Sequence, residues 1–363
     1  MAKKEEQTES INSIIDTFLK EEKGNHYNNL KHIDYRVRTG SLNLDVNLDG
    51  GFGPGIHRFC GINEGGKTSC ALQVAANFQK QVENSFVVYI KAEGRLDKRL
   101  LIRAGIDMSE QKLFIFESNV CETVFALVRK LVEYNPTDRR IMFIIDSMDA
   151  LIRKEDLEKP FTESQKVAGG ALITSTFLKI ESLPITAHGH MVVAISQVRA
   201  TIDMGHGPST NESGGNALKH YATYVLEFRQ RYETDKIYEY PNAASKAAKG
   251  KILGHFCKVL FKKSANEKTG TEIRYPIKYG QIDGKSVWTE MEILEMIKVW
   301  DLLNKAGAWF NFKEPAIKIL NDKNIQDITE ETKVQGESGV LDFLAKRQDI
   351  VEAFSEYFTN LMK

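Results

Sequence analysis

The residues Gly61-Ile62-Asn63-Glu64-Gly65-Gly66-Lys67-Thr68 fit the pattern G-x-x-x-x-G-K-S/T at every fixed position. Glycines let successive backbone N–H groups curl into an anion nest, and a helix N-terminus adds partial positive charge. In such a loop Lys67 neutralises β/γ-phosphates and the Thr68 hydroxyl, with Ser69 next to it, faces a magnesium ion. The context is the required one: an apolar run precedes (IHRFC, 56–60) and a helix-compatible stretch follows. A carboxylate able to hold Mg²⁺ through water should end a neighbouring strand, and Asp146 ends RIMFIIDS. Two more strand ends carry chemistry. Glu93 closes SFVVYIKAE, either as a solvated carboxylate or as the base that orients an attacking water. Gln197 closes HMVVAISQ, where a neutral amide is placed to sense a γ-phosphate.

These residues need a common edge to act together, and the apolar pattern supplies one. The runs 56–60, 85–93, 112–118, 140–147 and 190–197 are apolar without alternation, as strands covered on both faces are. Helix-length segments, including 67–80, 122–133 and 164–182, separate them, which predicts βαβ units and a parallel sheet whose strand ends share one edge. Two later runs, YATYVLEFRQ and ILGHFCKVLF, are expected to continue the sheet in a more antiparallel manner. Ahead of the sheet, Ile11, Ile14, Ile15, Phe18 and Leu19 fall on one helical face. That face packs either on its own domain or on a neighbouring subunit. Three regions are expected: an N-terminal helix and linker (1–35), a nucleotide-binding core (36–280), and a small C-terminal domain that reads as largely helical (281–363).

The chain has 363 residues, with 49 Lys+Arg against 49 Asp+Glu. This balance argues against a uniformly basic surface, while a local patch remains compatible with it. Residues 246–278 hold nine Lys/Arg and two Glu, whereas 281–363 hold fifteen Asp/Glu and ten Lys/Arg. Within the first, Lys246, Lys249 and Lys251 are either a solvated loop or a means of meeting phosphates without sequence preference. Cys60, Cys70, Cys121 and Cys257 show neither disulfide nor zinc spacing and are expected to be reduced. No apolar run is long enough to span a membrane and the N-terminus lacks an apolar signal region, so no membrane partner and a cytoplasmic location are expected.

Four further segments carry a family resemblance. Thr39-Gly40-Ser41-Leu42-Asn43-Leu44-Asp45, Ala92-Glu93 with Leu96-Asp97, Ser213-Gly214-Gly215-Asn216-Ala217-Leu218-Lys219 and Lys305-Ala306-Gly307-Ala308-Trp309-Phe310 occur in this order. They resemble the TGSLSLD, AE..LD, TGGNALK and KAGAWY segments of the RecA recombinases of bacteria and their phages. The resemblance implies a RecA-like P-loop ATPase core: α/β, with a central, mostly parallel twisted sheet, an N-terminal helical arm and a small C-terminal α/β domain. It implies ATP and Mg²⁺ as cofactors. Glu93 becomes the base, and Gln197 the γ-phosphate sensor that starts a mobile DNA-binding loop over roughly 198–213. Arg199, Ile202, Gly214, Gly215 and Asn216 become DNA contacts, and a second DNA-facing loop is expected around 156–168. Asp97 and Tyr279 become nucleotide-binding residues, with Tyr279 near the adenine. The arm becomes the docking element of a helical filament.

The family brings two lysines to ATP from the neighbouring subunit. Lys263 matches the second. Phe261 stands where the first belongs, unless Lys262 substitutes through a one-residue shift. Leu100 replaces an adenine-stacking aromatic, His206 and His220 replace aromatic residues, and Leu172 replaces a basic one. These departures mark a divergent member, with a phage as one expected source. The resemblance implies a recombinase acting on single-stranded DNA and homologous duplex, helped by single-strand-binding and mediator proteins and associated with the nucleoid. Two other readings stand beside it: a RecA-fold ring helicase or repair ATPase, and a DNA-coating mediator with weak ATPase activity.

Overall fold

The computed structural model describes residues 11–21, 33–94, 96–157, 168–200, 210–212, 215–240, 243–245 and 247–362. Its strands are β1 (Gly55–Gly61), β2 (Ser85–Lys91), β3 (Leu113–Glu117), β4 (Arg140–Asp146), β5 (Met191–Ile195), β6 (Val198–Ala200), β7 (Thr210–Glu212), β8 (Tyr224–Phe228), β9 (Lys236–Tyr238), β10 (Ile252–Lys263), β11 (Glu272–Lys278), β12 (Leu303–Ala306), β13 (Trp309–Phe312) and β14 (Lys333–Gln335). Its helices are α1 (Ile11–Glu21), α2 (Leu42–Asn47), α3 (Lys67–Gln81), α4 (Lys98–Ala104), α5 (Cys121–Glu133), α6 (Lys154–Leu157), α7 (Ala168–Ala187), α8 (Gly215–Tyr221), α9 (Thr289–Val299), α10 (Glu314–Asn321), α11 (Gly336–Lys346) and α12 (Gln348–Asn360).

Among the described residues the central sheet has nine strands, in the order β11-β10-β8-β1-β5-β4-β2-β3 with β9 beside β10. The five expected strands are present, and each pairs in parallel with its sheet neighbours among them. The sixth, β8, also runs parallel to β1, so the antiparallel continuation begins one strand later than expected, at β10. The reason lies in the connection: α8 crosses from the end of the 198–212 segment back to the start of β8, and such a crossover returns the chain in the parallel sense.

Both faces of β1, β2, β4 and β5 are covered, whereas the edge strand β3, expected to be covered as well, leaves Phe114 and Ile115 exposed. Phe59, Val87, Met142, Ile144 and Val193 pack beneath α3 and α4. Ile56, Val88, Phe143, Ile145 and Val192 pack beneath α5, α7 and α8. Each such burial contributes roughly 1.5–3 kcal/mol, which makes the sheet a stiff base for the loops on its edge. A third apolar cluster joins Ile293, Phe312, Leu320, Leu344 and Phe354 of the C-terminal segments and is touched by Leu42 and Val46 of α2. That region contains the three-stranded antiparallel sheet β12-β13-β14 as well as helices. The apolar side chains Ile11, Ile14, Ile15 and Phe18 of α1 are all exposed. All four cysteines are buried and unpaired with one another. Among the described residues no helix is long and apolar enough to cross a membrane.

Candidate functional site

The glycine loop joins β1 to α3, with Gly66 as the helix N-cap in the left-handed conformation, φ 109°. Gly61 ends the strand at φ 137°, and a Cβ there would lie 2.2 Å from the Phe228 carbonyl oxygen. The loop therefore passes too close to β8 for any side chain at this position. Lys67 is buried and donates from Nζ to the carbonyl oxygens of Gly61 (3.0 Å) and Ile62 (2.5 Å), so its ammonium curls back over the nest. Burial pushes the Lys67 pKa down, while the charges of Asp146, Asp149 and Glu93, together with the Cys60 thiol, oppose that shift. The three carboxyls thus act electrostatically on one cation at the strand edge.

Asp146 is the centre of the arrangement. Its Oδ2 accepts from the Thr68 hydroxyl at 2.9 Å and from the Tyr89 hydroxyl at 2.7 Å. Burial, with Asp146 beside it, raises the Tyr89 pKa, so this phenol stays a donor. Glu93 is exposed just beyond β2, and its N–H and that of Ala92 donate to the Asp146 carbonyl at 3.3 and 2.9 Å. The Gln197 N–H donates to Asp149 Oδ2 at 2.5 Å. Lys67, Thr68, Asp146, Glu93 and Gln197 therefore meet at one edge, as their strand-end positions predict. One carboxylate flanked by hydroxyls is a hard oxygen donor set, and Mg²⁺ is commonly held by one or two carboxylates plus substrate phosphates. These residues fit that ion.

A cavity of about 490 Å³ extends from this edge. Its lining includes Glu64, Gly65, Gly66, Lys67, Thr68 and Ser69 together with Leu100, Arg103, His255 and Tyr279. Its size is typical of a small-molecule site. Tyr279 is half exposed, its ring centroid 5.4 Å from that of His255. Burial and the nearby Arg231 push the His255 pKa down to about 4. Asn63 and Ile62 belong to the loop but do not line the cavity. Asp97 does not line it either: it is exposed and accepts the Arg99 N–H at 2.9 Å, capping α4.

On β10, Phe261 is fully buried in the core. The pairing register with β8 shifts between Phe261 and Lys263, which leaves Lys262 as the extra residue of a bulge. Lys262 pairs with Glu227 at 3.0 Å, and Lys263 donates to the carbonyl oxygens of His220 (2.7 Å) and Lys219 (3.2 Å) at the end of α8. Within the expected mobile loop of about 198–213, Val198–Ala200 and Thr210–Glu212 pair as a two-stranded antiparallel ribbon. Arg199 belongs to this ribbon, and Gly215 and Asn216 open α8. Ile202, His206 and Gly214 lie outside the described residues, as does most of the expected 156–168 loop.

Three functional candidates escape motif reading. Tyr89 lies inside β2, Asp149 lies three residues past Asp146, and Arg231 follows β8, donating from Nη2 to the Glu64 carbonyl at 2.9 Å. Arg231 and Asp149 carried the same signal as Glu93, a charge just beyond a strand on the active edge. Tyr89 carried none.

The chain matches the family model of the RecA N-terminal domain over residues 11–267. It is 29% identical to Protein RecA of Fusobacterium nucleatum over 286 residues, covering 77% of this chain and 68% of that protein. Protein RecA of Rickettsia massiliae is 28% identical over 292 residues, 79% of this chain and 77% of its own length. Protein RecA of Rippkaea orientalis is 28% identical over 324 residues, 86% of each. With most of its length matched and the nucleotide motifs on a mostly parallel sheet, the chain belongs to the RecA family.

Proposed function

We propose that this protein is an ATP-dependent homologous recombinase that forms a helical filament on single-stranded DNA, pairs it with homologous duplex and exchanges strands. The observation that carries the reading is the convergence of Lys67, Thr68, Asp146, Glu93 and Gln197 on one sheet edge beside a nucleotide-sized cavity, in a chain of the RecA family. The phosphate loop binds the triphosphate through its N–H groups, and Lys67 turns from the loop carbonyls to the β/γ-phosphates. Mg²⁺, held by Thr68 and Asp146, supplies charge neutralisation at those oxygens. Glu93 takes the proton of the attacking water. Tyr279 and Leu100 flank the base. Gln197 carries the state of the γ-phosphate into the ribbon that bears Arg199, and Ile202, Gly214, Gly215 and Asn216 complete the DNA contacts. Asp97 acts from the cap of α4. Lys263 and Lys262 reach the ATP of an adjacent subunit after leaving their present partners.

In this reading residues 1–35 dock on the next subunit, 36–280 bind ATP and DNA, and 281–363 form the C-terminal unit. ATP binds the DNA-holding filament in preference to the free form and shifts the population toward it. The test is ATP hydrolysis with and without single-stranded DNA, together with imaging of the DNA complex with a slowly hydrolysed ATP analogue. The expected results are DNA-stimulated turnover, helical filaments, loss of turnover in Lys67→Ala, and binding without turnover in Glu93→Gln. Closed rings, or normal turnover in Lys67→Ala, would overturn the reading.

A further inference from the structure

Asp149 has no place in the phosphate motif, yet it makes the bond that connects the phosphate edge to the DNA-facing segment. It lies in the single turn Met148–Ala150 that follows β4. Its Oδ2 takes the backbone N–H of Gln197, the last residue before the β6–β7 ribbon. A hydrogen bond to an ionised acceptor is stronger than a neutral one. Its Oδ1 and the neighbouring Ser147 Oγ are buried and have no hydrogen-bond partner among the described residues. The preceding residue is held separately. The Ser196 N–H donates to the Phe59 carbonyl at 2.9 Å, and Ser196 Oγ accepts from Nε of the fully buried Arg58 at 2.9 Å. Position 196 is thus tied to β1, the strand that carries the phosphate loop. Position 197 is tied to the end of β4, and the ribbon starts at 198.

We propose that Asp149 is a positioning residue: by holding the Gln197 N–H it sets the root of the β6–β7 ribbon, and release of this bond is the step by which the phosphate site signals to the DNA-facing segment. The inference rests on the functional reading above and names how its two sites communicate. Movement of the Gln197 side chain toward a γ-phosphate pulls its backbone away from β4. Ser196 is anchored to β1, so the displacement is passed forward to Val198 and not back into β5. The unpaired Oδ1 gives the carboxylate a second acceptor position, so the N–H has two discrete arrangements available on one side chain.

The test compares Asp149→Asn with Asp149→Ala. Both remove the charge near Lys67, so effects of that charge are common to the two. Only Asn keeps an acceptor for the Gln197 N–H. Turnover is measured with and without single-stranded DNA, and the ratio is the readout. Asp149→Asn is expected to keep most of the wild-type stimulation, and Asp149→Ala to lose about tenfold of it. Equal ratios in the two variants, high or low, overturn the proposal. Hydrogen exchange of the wild-type 195–200 segment needs no variant. Protection without nucleotide should fall when a slowly hydrolysed ATP analogue and single-stranded DNA are added, and unchanged protection overturns the proposal. A wild type whose turnover ignores DNA refutes the functional reading itself and is recognised before any variant is made.

Discussion

Phe261 and Asp97 illustrate how a matched position and a side-chain role separate. The resemblance places Phe261 where a lysine was expected, and in the structure this phenylalanine is a core residue. The side chain points into the core formed by Phe59, Phe228 and Val259, with no exposure. Replacing it by alanine should destabilise the fold by about 3–5 kcal/mol, the usual range for a buried phenylalanine, as read by denaturant unfolding. A loss below about 1 kcal/mol would mean the slot is not packed. Asp97, for which the resemblance implied a nucleotide contact, caps α4 with its carboxylate. Asp97→Ala should lower stability by about 0.5–2 kcal/mol, visible as a lower melting temperature without nucleotide. The sequence carries residue type and spacing, and for the glycine loop these suffice because the backbone does the binding. It does not carry the partner of a side chain, which depends on rotamers and on elements far away in the chain. For the same reason Tyr89, inside an apolar run, gave no sign of its bond to Asp146.

At the scale of elements, strand positions were legible because continuous apolar runs admit few alternatives. The sense of β8 and the bulge at Lys262 were not, since both depend on which strand lies alongside. The bulge leaves Lys262 as an extra residue on β10: Phe261 stays opposite Leu226 and Lys263 comes opposite Val225. The junction of α2 with α9 was also hidden, because its two halves are about 250 residues apart. Glu292 of α9 accepts from the Ser41 hydroxyl at 2.5 Å and from the N–H groups of Leu42 (3.0 Å) and Asn43 (3.2 Å). Asp45 accepts from the Thr39 N–H and hydroxyl at 2.7 and 2.8 Å. Burial raises both carboxyls to about 7. The folded chain then holds more protons at these sites than the unfolded chain, whose carboxyls titrate near 4. Their contribution to stability is complete below about pH 4 and is lost as the pH rises to about 7. His57, His190 and His255, pushed down to about 4 by burial, give the opposite slope. The difference between a variant and the wild type isolates the carboxyl effect. Asp45→Asn should gain stability relative to the wild type between pH 5 and pH 8, measured by urea unfolding at each pH. A constant difference would show that Asp45 titrates as an ordinary carboxyl.

For the whole molecule, zero net charge poses the question of how a DNA-binding chain finds cations for phosphates. The basic stretch 246–278 answers it less directly than its count of nine Lys/Arg suggests. Lys258 pairs with Asp235, Lys262 with Glu227 and Arg274 with Glu295, while Lys263 holds the carbonyls at the end of α8. These cations serve the sheet and its junctions in the single chain, so the charge count over a segment overstates what is available to a ligand. The sequence could not show this, because each partner lies on a different element. In the function proposed above, contact with single-stranded DNA falls to Arg199 and its segment, and the paired cations of β10 are not required for it. Each phosphate contact on a single strand contributes about 0.7 to the slope of log affinity against log salt concentration. Arg199→Ala should lower that slope by about 0.7 in DNA titrations across a salt series, with nucleotide present. Lys258→Ala should leave it unchanged. If Lys258→Ala reduces the slope and Arg199→Ala does not, the basic stretch is the DNA surface, and the ion pairs on β10 open when DNA binds.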